Sequence, residues 1–299
     1  MRALRALAML ALGLVAALPV FAIGVKAAPS QVPTIVVSIL PQAYFVERIA
    51  GSRVKPLVLV GPGQSPHSYE PTPRQMAELS SAPIWLTIGV EFEMALKPKV
   101  AALNPRLAIL DTTAGITYRN LEAHHHDGEA SAAGEEESGI DPHVWLGRQA
   151  VKAMASSIRD ALIAYDPAGA SIYRANHDSF VHDIDAAYAR IAAEVAPLKG
   201  KTVFVYHPSF GYFLDEFGII QEAVETGGKE PTQKELAALI SNARADGAEI
   251  IFVQPQFPVS AARTVASAIG GVVVEIDALA PDWLDNIGRI GDALSKAIK

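Results

Sequence analysis

Seven short apolar runs punctuate the chain, and the stretches between them are helical in pattern. They are TIVVSIL from residue 34, VKPLVLV from 54, APIWLTIG from 82, RLAILDT from 106, KTVFVYH from 201, EIIFVQP from 249 and GVVVEID from 271. Strands that are apolar on both faces and separated by helices specify parallel sheets covered on both sides. The alternation breaks once. Between the fourth and fifth runs no strand pattern occurs, and from about Pro167 to Pro197 apolar side chains recur at 172, 173, 180, 184, 187, 188, 191 and 195. That period predicts one amphipathic helix of roughly 30 residues, about 45 Å long. Asp166-Pro167 supplies its start and Pro197 to Gly200 its stop. The expected fold is α/β, with two parallel-sheet lobes at residues 28–165 and 198–299 joined by one long helix over 166–197.

Half of the 299 residues are apolar, enough for a core in each lobe. With 25 Lys and Arg against 32 Asp and Glu and no basic run, the chain has no footprint for a phosphate backbone or an anionic membrane, which argues against nucleic acid as a partner. It contains no cysteine, so any metal must be held by nitrogen and oxygen. The first residues, MRALRALAMLALGLVAALPVFAIGVKAAPSQ, set Arg2 and Arg5 before an Ala/Leu/Val run and then offer small residues around Val25-Lys26-Ala27, the pattern of a secretory signal peptide over 1–27. Residues 6–25 are long enough to span a bilayer, but Pro19, the alanine content and the want of a basic stop-transfer cluster argue for export rather than anchoring. Cleavage near residue 27 removes Arg2, Arg5 and Lys26 and takes the net charge from −7 to about −10, leaving an acidic exported protein suited to a bacterial periplasm.

The eight histidines fall into three groups. His124, His125 and His126 stand in EAHHHDGEASAAGEEESG, residues 122–139, a polar stretch expected to be a loop of the first lobe. It reads either as a solvated acidic segment or as a weak collector of transition metal that meets a metal-donating partner. His177 and His182 lie on the long helix about 140° apart and share no face. Asp178 and Asp185 are spaced to pair with His182 in solvent. His67 in GPGQSPHSYEPTP, His143 in GIDPHVWL and His207 in YHPSF each lie beside a proline and outside a helix, and Asp277 closes the last apolar run. Loops at the carboxyl ends of strands in open α/β sheets converge on a crevice. Two of these four residues fall in each lobe, so together they would close on a metal between the lobes. His207 either packs at its strand end or binds from it, and as a ligand it is expected to cap the strand outside the core.

GPGQSPHSYEPTPRQM, DPHVWL, YHPSFGYFLDEFGI, KEPTQKELAALI and IIFVQPQF, in this order, resemble the metal-binding solute receptors of ABC transporters for zinc and manganese. The resemblance covers nearly the whole chain beyond the N-terminal stretch. It implies two α/β lobes on a rigid helical backbone with a metal site in the inter-lobe cleft. It also implies a monomeric periplasmic receptor that delivers its metal to a permease in the inner membrane. Carried over residue by residue, the ligands are His67 and His143 in the first lobe and His207 and Asp277 in the second. Ser65 replaces the aspartate usual before Pro66, and Ala278 stands where a proline often follows the aspartate. The lack of cysteine excludes the disulfide of some zinc-type members and the lipid anchor of Gram-positive ones.

Manganese receptors resembling this chain use a glutamate at the position of His207, which suits a harder ion. Three imidazoles and one carboxylate suit zinc, so the expected cargo is Zn2+, with a manganese receptor as the alternative. A zinc hydrolase would leave a coordination position open to water beside a general base. Here Asp277 is available to close the site, no HExxH or GxSxG occurs, and Ser209 has no evident triad partner, so no enzyme is expected. Adhesion, another use of exported receptors, has no feature in its favour and would be marked by activity without metal.

Overall fold

The computed structural model describes residues 32–121, 139–225, 232–257 and 259–296, so the expected signal peptide and the triple histidine lie outside the described residues. Two four-stranded sheets, each wholly parallel, form the frame. The first holds β1 (Thr34–Val37), β2 (Lys55–Val58), β3 (Ile84–Thr87) and β4 (Ala108–Asp111) in the order β2-β1-β3-β4. The second holds β5 (Thr202–Val205), β6 (Ile220–Ala223), β7 (Ile250–Val253) and β8 (Val272–Glu275) in the order β6-β5-β7-β8. In both, the direction of winding reverses beside the first strand, which opens a crevice beyond the carboxyl ends.

Central strands β1, β3, β5 and β7 are almost wholly buried, which is why they stand out in the sequence as continuous apolar runs. The apolar runs miss β6, whose sequence is IQEA. It is an edge strand with Ile220 exposed, and its buried Gln221 accepts the Phe210 N–H at 2.9 Å, so its composition is polar for local reasons.

The helices are α1 (Leu40–Ala50), α2 (Pro73–Ser81), α3 (Glu91–Leu103), α4 (Arg148–Tyr165), α5 (Ala170–Val195), α6 (Gly211–Asp215), α7 (Gln233–Ala245), α8 (Ser260–Ile269) and α9 (Trp283–Ser295). Helix α5 is the long helix, extended by 3-10 turns at Pro167–Gly169 and Ala196–Leu198. It buries Tyr173, Phe180, Ile184, Tyr188, Ile191 and Val195 against α1, α4 and α9. Each such side chain contributes about 1.5–3 kcal/mol. Phe45 of α1 and Trp283 of α9 meet edge to face at 5.2 Å beside Phe180, so the C-terminal helix is tied to the first lobe across α5. One apolar core accordingly runs through both lobes, and a smaller one covers the other face of the second sheet.

Helices α2 and α7 occupy matching places after the second strand of each sheet and start the same way, with capping boxes formed by Thr72 and Gln75 and by Thr232 and Glu235. The expected pairing of His182 is not formed. Asp178 takes His177, which is buried against Ser156 of α4, and Asp185 takes Arg148 and Lys152.

Candidate metal centre

Each histidine is placed by a different local device. His207 stands two residues beyond β5, where Gln254 accepts its N–H at 3.2 Å and donates to its carbonyl at 2.6 Å. Its ring stacks on Phe257 at 4.6 Å and is 7% exposed. His207 therefore does not lie outside the core as expected, because the turn after β7 folds over the end of β5. His67 sits in a 3-10 turn, Pro66–Ser68, opened by Ser65, whose hydroxyl accepts the His67 N–H at 3.3 Å. Serine thus performs the N-capping that an aspartate would perform there. His143 precedes a second 3-10 turn, Val144–Leu146, which is pinned on several sides. Trp145 donates to the Ala278 carbonyl at 2.8 Å, Trp283 to the Trp145 carbonyl at 2.8 Å and Tyr188 to the Leu146 carbonyl at 2.5 Å.

The three rings converge. Nε2 of His207 lies 3.2 Å from Nε2 of His67 and 3.2 Å from Nε2 of His143, and among the described residues these three form the cluster able to hold a metal ion. The opposite nitrogen of every ring faces a carboxylate. His67 Nδ1 is 2.9 Å from both oxygens of Glu91, His143 Nδ1 is 2.8 Å from Asp141, and His207 Nδ1 is 2.6 Å from Glu225. An ionised carboxylate only accepts, so each Nδ1 carries the proton and each Nε2 is left with a bare lone pair. Three lone pairs this close repel one another until a cation sits among them. Tetrahedral zinc with bonds of about 2.05 Å separates its donors by about 3.3 Å, close to the spacing seen.

For His207, Glu91 and Asp141 the electrostatics agree with this pattern. Burial, assisted by the neighbouring His143 and His67 and opposed by the Glu225 contact, pushes His207 down to about 4, so its ring is neutral at neutral pH. Hydrogen bonding from His67 holds Glu91 below the ordinary carboxylate range. Burial by itself would raise Asp141, but its bonds with His143 and Arg119 outweigh that and keep it low.

Asp277 is not drawn into this group. Its Oδ1 accepts from Gln256 Nε2 at 2.8 Å and from the Leu279 N–H at 2.8 Å. Gln256 lines the pocket beside the histidines and stands on the Asp277 carboxylate. Sequence reasoning had no role for Glu91, Asp141 or Glu225. Asp141 stands two residues before His143, a local spacing that carries the signal for this contact. Glu91 and Glu225 lie 24 and 18 residues from their partners and leave no local signal.

The sequence profile of ZnuA, zinc-uptake complex component A, periplasmic, matches residues 35–297. A solved crystal structure of a ZnuA superposes with a TM-score of 0.81 at 32% identity, covering 89% of this chain and 98% of that one. A zinc-bound ZnuA deletion mutant superposes with a TM-score of 0.80, again at 32% identity, over 89% of this chain and 97% of its own. The high-affinity zinc uptake system protein ZnuA of Paracoccus denitrificans is 29% identical over 258 residues, 77% of this chain and 79% of that protein.

Proposed function

The chain belongs to the family of periplasmic zinc-uptake component A proteins, and from that premise we propose that it captures Zn2+ between its lobes and delivers it to an ABC permease in the inner membrane. The observation that carries this reading is the convergence of three Nε2 atoms, with that of His207 3.2 Å from each of the other two, and each ring aimed by a carboxylate on its far side. Carboxylate–histidine pairs of this kind fix the tautomer and raise ligand basicity. An all-imidazole trio favours zinc over the harder manganese ion. Asp277 is the proposed fourth ligand, and to bind it must turn from Gln256 or use its other oxygen. A related ZnuA structure holds zinc, which supports the choice of cargo.

No helix of the described residues is long and apolar enough to cross a membrane, and we assign residues 1–27 as a cleaved export signal. The test is elemental analysis of protein purified from the periplasm without added metal. About one zinc per chain is expected, and manganese in its place, or no transition metal, would overturn the reading.

A further inference from the structure

We propose that Arg119 is a positioning residue for metal capture, through which helix α6 of the second lobe aims the first-lobe ligand His143. This rests on the zinc reading above. Arg119 and Asp141 are brought together by a short antiparallel ladder in which the Leu121 N–H meets the Gly139 carbonyl at 2.8 Å and the Asp141 N–H meets the Arg119 carbonyl at 2.9 Å. Asp141 is fully buried, and its Oδ1 takes both the N–H and Nδ1 of His143, at 2.9 and 2.8 Å. Its other oxygen, Oδ2, takes Nη1 of Arg119 at 2.9 Å. The guanidinium then reaches across to the second lobe, where Nε donates to Asp215 at 2.9 Å.

The seat for that guanidinium is built by α6, the helix that begins four residues after His207. A Cβ placed on Gly211 would lie 1.7 Å from Arg119 Nη1 and 2.3 Å from its Cζ, so no other residue fits there with Arg119 in place. The next residue, Tyr212, accepts the Arg119 N–H at 3.0 Å and donates to the Asp141 carbonyl at 2.9 Å. Burial holds the Tyr212 hydroxyl up to about 12, so it remains a donor at neutral pH. Gly211, Tyr212 and Asp215 thus grip, from the second lobe, both the carboxylate that orients His143 and the backbone that carries it. The segment that supplies one ligand, His207, also sets the aim of another.

The route from Arg119 to His143 runs through Asp141, which takes Arg119 on one oxygen and His143 on the other, so the proposed effect is tested through Asp141. The measurement is zinc affinity by competition with a chromogenic chelator, on the full exported chain, for the parent, Arg119→Ala, Gly211→Ala, Asp141→Asn and the double variant Arg119→Ala/Asp141→Asn. Loss of an outer partner of a ligating histidine typically costs about 10–100-fold in metal affinity, and that loss is expected for Arg119→Ala and for Gly211→Ala, which displaces the guanidinium without altering any charge. In the Asp141→Asn background Arg119→Ala should cost less than about threefold more, because the route is already cut. Arg119→Lys keeps the charge but not the fork, and it supplies the reading if the alanine variant does not fold. The Co2+-loaded variants should show an altered visible spectrum, which a purely structural role would leave unchanged.

An Arg119→Ala affinity within about twofold of the parent, or the same loss in both backgrounds, overturns the proposal while leaving zinc capture standing. A parent protein that binds no zinc overturns the function reading and this inference with it.

Discussion

The two lobes are one topology used in two ways. Both sheets wind in the same order, and both carry a capped helix after their second strand. In the second lobe the imidazole stands at the end of a central strand, 7% exposed, with a 2%-exposed Glu225 behind it just past the neighbouring strand β6. In the first lobe the corresponding end of β1 carries no metal ligand. Ser38 there instead bonds Glu93, an inward-facing carboxylate that burial raises despite three hydrogen bonds from Ser38, Ile88 and Gly89. The first-lobe imidazoles come from beside 3-10 turns farther out; His143 is buried there with Asp141, whereas His67 with Glu91 is exposed. A carboxylate–imidazole pair in low dielectric holds its geometry and acts at full strength, whereas an exposed pair is screened by water and salt. On the proposed zinc reading, the buried His207 and His143 are therefore the rigid imidazoles, and the exposed His67 is the one positioned to meet incoming metal.

If that contrast is right, substitution at His207 has the largest effect. His207→Ala should weaken zinc binding by more than about 100-fold, beyond the loss of any supporting carboxylate, as read by chelator competition. His207→Glu should retain binding but narrow the preference for zinc over manganese. A His207→Ala protein that, once folded, holds zinc as tightly as the parent would return His207 to a packing role.

Next in size is the pH response of the metal-free protein. His207 is depressed from 6.5 to about 4 by burial, so between those values the unfolded chain binds more protons than the folded one. Its contribution is therefore fully present above about pH 6.5 and is lost as pH falls toward 4, by about 3 kcal/mol over the whole shift. Urea unfolding between pH 7 and pH 4 should show this slope, and His207→Gln should flatten it. An unchanged slope in the variant would mean that the acid sensitivity arises elsewhere.

Smaller effects sharpen the comparison directly. Glu225→Gln should cost about 10–100-fold in zinc affinity, and Glu91→Gln less than about tenfold, with salt dependence confined to the latter. Equal losses would break the distinction between a buried and an exposed carboxylate–imidazole pair. Smallest of all, deletion of His124, His125 and His126 should leave one tight zinc site in titration calorimetry, since the three convergent rings already supply a donor set. Disappearance of the tight site would place a ligand in that tract.

Much of the frame was legible because burial on both faces writes itself into composition. β1, β3, β5 and β7 read as apolar runs, and the spacing of Tyr173, Phe180, Ile184 and Tyr188 gave the long helix. Strand β6 was not legible, because an edge strand satisfies only part of that rule and its Gln221 is buried for a hydrogen bond to Phe210. His67, His143 and His207 stood out through their prolines and strand ends, features of local backbone that a sequence displays.

Local sequence thus determined the strands, the linking helix and which imidazoles end up at crevice-facing positions, since each depends on residues a few places apart. Tertiary structure decided what aims them. Glu91, Glu225 and Arg119 act on groups 24, 18 and 22 residues away, and Asp277 is held by Gln256, 21 residues distant. No periodicity or propensity encodes such pairings, because a carboxylate's partner is set by which strand ends the fold brings together in three dimensions.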